Sequence, residues 1–167
     1  TSVLTKKEHW QRLIDLTIFA GVLSAFYGFG QKTNIDFFVG SGGRERIFGT
    51  IGNPALFAGY ELFSVFLSLI MYFNPKNNQN QKTLYLFAFV VTSVDALSTA
   101  VRGSVLGYTV GLTVFAFLWM RHKKSRIGKL AFNSFIGLAV LFVIFSALFG
   151  GSSFVKNSRY LSRITDL

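Results

Sequence analysis

Five apolar blocks, separated by short polar stretches, run along the chain at roughly 12–30, 54–73, 83–101, 103–120 and 130–149. Within each block the apolar residues follow one another instead of returning to one helical face. A soluble amphipathic helix shows a stripe, whereas a bilayer core about 30 Å thick needs about 20 mostly apolar residues in a row. The pattern predicts an all-α fold: a multi-pass transmembrane helical bundle of about five spans, forming a single membrane domain over 1–167. Connections are short except 31–53, which is polar and glycine-containing. "NPKNNQNQK" at 74–82 reads as a brief polar turn, and 150–167 as the start of an outer loop.

Composition strengthens this reading. Half of the residues are hydrophobic, 14% are charged and 20 are Phe. There are no cysteines, which excludes disulfides, thiolate chemistry and Cys-based metal sites. A net charge of +10 in a soluble protein points to nucleic acid; in a membrane protein excess Lys and Arg sets topology, and no nucleic-acid partner is expected. With the N-terminus inside, ten Lys and Arg fall on the inner side and seven on the outer. The densest cluster, "RHKKSRIGK", and both Trp10 and Trp119 fall near the inner interface, which puts the C-terminus outside. Lys6 and Lys7 before an apolar run resemble a signal peptide, but Asp15 interrupts the run and no small-x-small cleavage site follows. The chain begins at Thr1 and ends just after a helix-to-polar transition, as expected of a piece of a larger polytopic protein.

Under this topology Arg44 and Arg46 lie outside, where they are not ordinary inner anchors. They precede "GTIGNPALF". Asn53 suits an N-cap and Pro54 a first helical turn. Gly49 and Gly52 let the backbone turn tightly and approach a ligand closely. A helix N-terminus facing outward beside arginines favours an anion, and a phosphate can be held by a guanidinium in a bidentate manner. A plain capped helix with solvated arginines gives the same local pattern. The second outer feature is "STAVRGSVLGYTVG" at 98–111. One helix through both flanking blocks would run about 57 Å at 1.5 Å per residue. The chain is therefore expected to break near Arg102–Gly103, with Gly103 supplying the backbone angles and Ser104 the cap. Two outward helix N-termini, each with an arginine, describe an anion site at the membrane surface; a snorkelling Arg102 is the plainer account.

Glu61 and Asp95 lie deeper, roughly 10–12 Å inside these helix ends. Asp95 and Arg102 share a helix face, and the Arg is long enough to lean toward the Asp. The acids are read either as orienting the arginines or handling a proton, or as a structural polar bond between helices. Asp15 reads as interfacial. His9 and His122 fall inside among basic residues, and no metal-ligand cluster, P-loop, dinucleotide fingerprint or nucleophile elbow is present. Gly103, Gly107 and Gly111 have the spacing of a helix-packing stripe.

Three segments resemble motifs of the O-antigen ligase and polymerase superfamily. "RIFGTIGNPALFAGYELF" is similar to its R-x-x-G-T-x-G-N-P-N-x-x-A, "STAVRGSVLGYTVGL" to its S-R-G-[AS]-x-[LA]-G, and "AFYGFGQ" at 25–31 to its Y-G-x-x-Q, in the same order. The resemblance covers about residues 10 to 150. It implies a multi-pass glycosyltransferase of the bacterial cytoplasmic (inner) membrane, active in polysaccharide or lipopolysaccharide biosynthesis. Such an enzyme takes glycan from an undecaprenyl-diphosphate carrier on the outer face and passes it to a lipid A core, a growing glycan or a protein hydroxyl, without metal or other cofactor. It implies that Arg46 and Arg102 contact the carrier diphosphate and stabilise it as leaving group; the reading of the residues adds Arg44, Gly52, Asn53, Gly103 and Ser104 as substrate-binding and Glu61 and Asp95 in support. Ala55 stands where the family has a second Asn, and Val101 where it has Ser before Arg. The family's acceptor-activating histidine falls in a large outer loop that would begin near 150–167, and no outer histidine is present, so the donor half of a site is expected here. A transporter or flippase segment for anionic lipid-linked substrates, or a non-catalytic carrier-binding subunit, are the alternatives.

Overall fold

The computed structural model describes residues 6–33, 35–39 and 46–123, with positions 133, 134 and 137 besides. The described residues are helical, without strands: α1 (Lys7–Gly30), α2 (Asp36–Val39), α3 (Pro54–Tyr72), α4 (Gln79–Ser98) and α5 (Arg102–Lys123). α1 and α3 are long and apolar enough to cross a membrane. α4 and α5, at 20 and 22 residues, have the length but are not among the helices apolar enough to do so. The expectation of about five spans thus reduces to two helices that qualify; the block at 130–149, Arg44 and the loop at 150–167 lie outside the described residues.

The chain divides into two compact units, one up to Thr99 and one from Ala100 onward. In the first, α1, α3 and α4 pack on one another. Ile18, Met71, Tyr85 and Ala88 form an apolar cluster at one end. Toward the other end Gly28 of α1 faces Asp95 of α4 and Ile47. These contacts set α1 and α4 parallel and α3 antiparallel to both. Close approach is possible because α1 turns Gly21, Ser24, Ala25 and Gly28 inward, small residues at helical spacing. A Cβ on Gly21 would overlap Ser64 of α3, and one on Gly28 would lie 2.5 Å from Asp95 Oδ1 and 2.8 Å from Ile47 Cγ2.

Local chemistry sets the helix ends. Asn53 is the N-cap of α3 and Pro54 its first residue, as the sequence predicts; the Asn53 side chain accepts from Ala55 N at 2.9 Å and Leu56 N at 3.4 Å. The polar turn after α3 is more ordered than its composition announces. Asn77 Nδ2 donates to Met71 O at 2.7 Å, and Asn78 and Gln81 form a reciprocal capping box that starts α4. The segment 31–53 is also not wholly a connection. It contains the short helix α2, whose Phe37 and Phe38 pack edge-to-face with each other and with Tyr27.

The second unit begins with a break that falls earlier than expected. α4 ends at Ser98, and the residue with positive φ is Ala100 (φ 52°), not Gly103, which is already within α5. Ser104 does not cap. Its hydroxyl donates to Val101 O at 2.7 Å, a bond within the first turn of α5. Gly103 and Gly107 are exposed, while Ser104, Leu112 and Ala116 are the buried positions.

Candidate anion-binding site

The loop that enters α3 is held from below by one side chain. Gln31 follows the last residue of α1 and is fully buried. Its Oε1 accepts from Phe48 N and Gly49 N, each at 3.1 Å, and its Nε2 donates to Gly49 O at 3.3 Å. A single amide thus satisfies three backbone groups that have no ladder or helix partner. Gly49 (φ 55°) and Gly52 (φ 78°) take left-handed angles, and Gly52 N closes the turn on Phe48 O at 3.3 Å. At Gly49 the need is double, since a Cβ there would also overlap the buried Phe57 ring. At Gly52 it is conformational only, because nothing lies within 4 Å. Ser24 of α1 and Thr50 of the loop bring their hydroxyls to 3.4 Å, a second tie between loop and bundle.

From this loop Arg46 reaches the end of α4. Its Nε donates to Thr99 O at 3.3 Å, a carbonyl at the partially negative end of a helix. Thr99 is itself fixed, its hydroxyl donating to Ala96 O at 2.7 Å. The Nε bond orients the guanidinium plane, and its terminal nitrogens hold no hydrogen bond among the described residues. Such a group can grip an oxyanion with two parallel donors.

Of the residues expected at the site, Arg46, Gly52 and Asn53 share this loop. Arg102, Gly103 and Ser104 open α5 in the second unit, with Arg102 exposed at its first position. One expectation needs correction. The α3 amides of Ala55 and Leu56 are engaged by Asn53, so the helix end offers an anion its dipole more than free first-turn N–H groups.

The two acids, expected in support, are buried inside the first unit. Glu61 and Asp95 are both 0% exposed, and none of their carboxyl oxygens has a hydrogen-bond partner. Among the described residues of the first unit, neither carboxyl is hydrogen-bonded to Arg46. They lie instead close enough for the charge of one to act on the other. Asp15, at the opposite end of the unit, accepts from Tyr85 OH at 2.8 Å. Sequence reasoning did not assign Gln31 or Thr99 a role. A glutamine directly after a glycine-rich helix end was a legible signal; a backbone carbonyl as an arginine partner was not. Compared with protein-family models, with curated proteins and with solved structures, the chain matches none.

Proposed function

We propose that the chain is part of an integral-membrane glycosyltransferase of the O-antigen ligase or polymerase type, which holds the diphosphate of an undecaprenyl-linked glycan at the entrance to α3. One observation carries the reading: a loop pinned by the buried Gln31 presents Arg46 with its Nε fixed on Thr99 and its terminal donors unengaged among the described residues. Glycosyl transfer from such a carrier leaves charge on the departing diphosphate. A preoriented guanidinium stabilises that charge as it develops, and in a site shielded from water the effect is large. The motif resemblance assigns Arg102 the second positive charge in this scheme. The acceptor is a glycan, a lipid A core or a protein hydroxyl.

Placement in a bilayer, the bacterial inner membrane in this reading, is supported by the distribution of polarity. Leu16, Phe19, Leu23, Phe63, Ile70 and Leu84 are exposed, while Ser64, Ser68, Thr92 and both acids are buried. Lipid, not water, suits such a surface. A transporter or flippase for the same lipid-linked anions is the second reading, favoured by the buried carboxyl pair, since intramembrane acids commonly mark ion pathways.

The test is binding of undecaprenyl diphosphate, or a short-chain analogue, to the purified chain in detergent. Arg46→Ala and Arg102→Ala are each expected to weaken binding about tenfold to a hundredfold, the loss of one charge-assisted contact, with helical circular dichroism unchanged. Binding indifferent to both substitutions overturns the proposal. Transfer of labelled glycan to an acceptor by the membrane-embedded protein separates the enzyme from the transporter.

A further inference from the structure

We infer that Glu61, Asp95 and Ser64 form a site for a small cation, sodium or the proton, inside the α1–α3–α4 unit. Three fully buried side chains carry five oxygen atoms here, and every one of them lacks a hydrogen-bond partner. Ser64 is the observation independent of the acids. It lies one turn beyond Glu61 on the same face of α3, and helix geometry tilts its side chain back toward Glu61. Its hydroxyl packs against Gly21 of α1 without a bond to it. Other buried hydroxyls of the unit show what an ordinary structural role looks like: Ser68 donates to Ser64 O at 2.7 Å and Thr92 to Ala88 O at 2.8 Å.

Two carboxyl groups cannot be left in a dry interior without positive charge or a proton to satisfy them. Among the described residues no side-chain cation does this. α1 turns Gly21, Ser24, Ala25 and Gly28 toward the neighbouring helices, and none is charged or titratable. Arg46, on the loop above, is fixed to Thr99, and Tyr60 precedes Glu61 on α3. Tyr85 on α4 is committed to Asp15. A Cβ at Gly28 would already lie 2.5 Å from Asp95 Oδ1, which leaves no space for a Lys or Arg side chain at that position of α1. An all-oxygen donor set in so tight a place suits a bare hard cation. The site stands independently of the lipid-diphosphate reading.

The test is thermal unfolding of the full chain in detergent, in sodium chloride and in choline chloride at equal ionic strength, at neutral and acid pH. It is paired with infrared spectra of the carboxyl region. If sodium fills the site, Tm at neutral pH rises by about 5–10 °C at a hundredfold excess over Kd, and acid weakens the effect by competition. If the proton fills it, sodium and choline are equivalent, and a protonated carboxylic acid band is present at neutral pH. Both signatures are expected to vanish in the Glu61→Gln/Asp95→Asn double variant. Ser64→Ala keeps both acids and removes only an unpartnered hydroxyl, so it folds and weakens sodium binding severalfold. Absence of both the sodium effect and the acid band, or their persistence in the double variant, overturns the inference.

Discussion

At the scale of single residues, the candidate site depends on side chains that touch no ligand. Gln31 is the clearest. Gln31→Leu keeps the volume and leaves Phe48 N and Gly49 N buried without partners. Each such group costs about 1–3 kcal/mol, so a loss of about 2–6 kcal/mol is expected in denaturant titrations in detergent. The same substitution is expected to weaken diphosphate binding while Arg46 is untouched, because the loop no longer fixes where the guanidinium points. Unchanged stability and binding would mean that the loop is held by other contacts. Arg46→Lys probes geometry instead of charge. A lysine ammonium has one point of attachment, so it cannot bond Thr99 O and still present two parallel donors to a phosphate. Its binding is expected to resemble that of Arg46→Ala; full binding by the lysine variant would reduce the arginine's role to charge alone.

At the scale of elements, two caps offer a matched comparison. Asn53 starts α3 beside the candidate site, and Asn78 starts α4 at the other end of the unit. Alanine at either position is expected to cost about 1 kcal/mol of stability, but only Asn53→Ala is expected to reduce diphosphate affinity. Equal effects on binding would show that the anion responds to global stability and not to the α3 entrance. The α3 start was legible because Gly-Asn-Pro states a turn, a cap and a first helical residue in consecutive positions. The start of α4 was missed by four residues: in "NPKNNQNQK" polarity hid a capping box that depends on the spacing of Asn78 and Gln81. The break before α5 was placed on Gly103 because glycine tolerates positive φ at no steric cost, yet the chain puts that angle on Ala100. Propensity ranks residues for a conformation; it does not say which of several neighbours the surrounding packing will force into it. That Glu61 and Asp95 are both fully buried without hydrogen-bond partners escaped for a related reason. Depth along each helix was readable from rise per residue, but which helix faces which is set by the small residues of α1.

At the scale of the whole molecule, the described residues of the first unit bury many small and polar groups beside a few large ones such as Phe57 and Ile47, and expose many large apolar side chains. The alternation of helix directions then makes a geometric prediction independent of any ligand. α1 and α4 run parallel and α3 opposite, so Lys6 and Lys76 belong to one end of the unit, and Thr50, on the loop clamped by Gln31, to the other. All three are exposed. Because the chain has no cysteine, single-cysteine variants at these positions carry no background label. In sealed vesicles of known orientation, Lys6→Cys and Lys76→Cys are expected to react with an impermeant maleimide from the same side, and Thr50→Cys only from the other. In the proposed reading the excess of Lys and Arg assigns the Lys6 side to the cytoplasm. This makes Thr50 the outer-face reporter, and bound diphosphate is expected to slow its labelling. Labelling of all three from one side would mean that the unit does not cross the bilayer. An outer-face diphosphate site would then be impossible, whatever the affinity of Arg46 for phosphate.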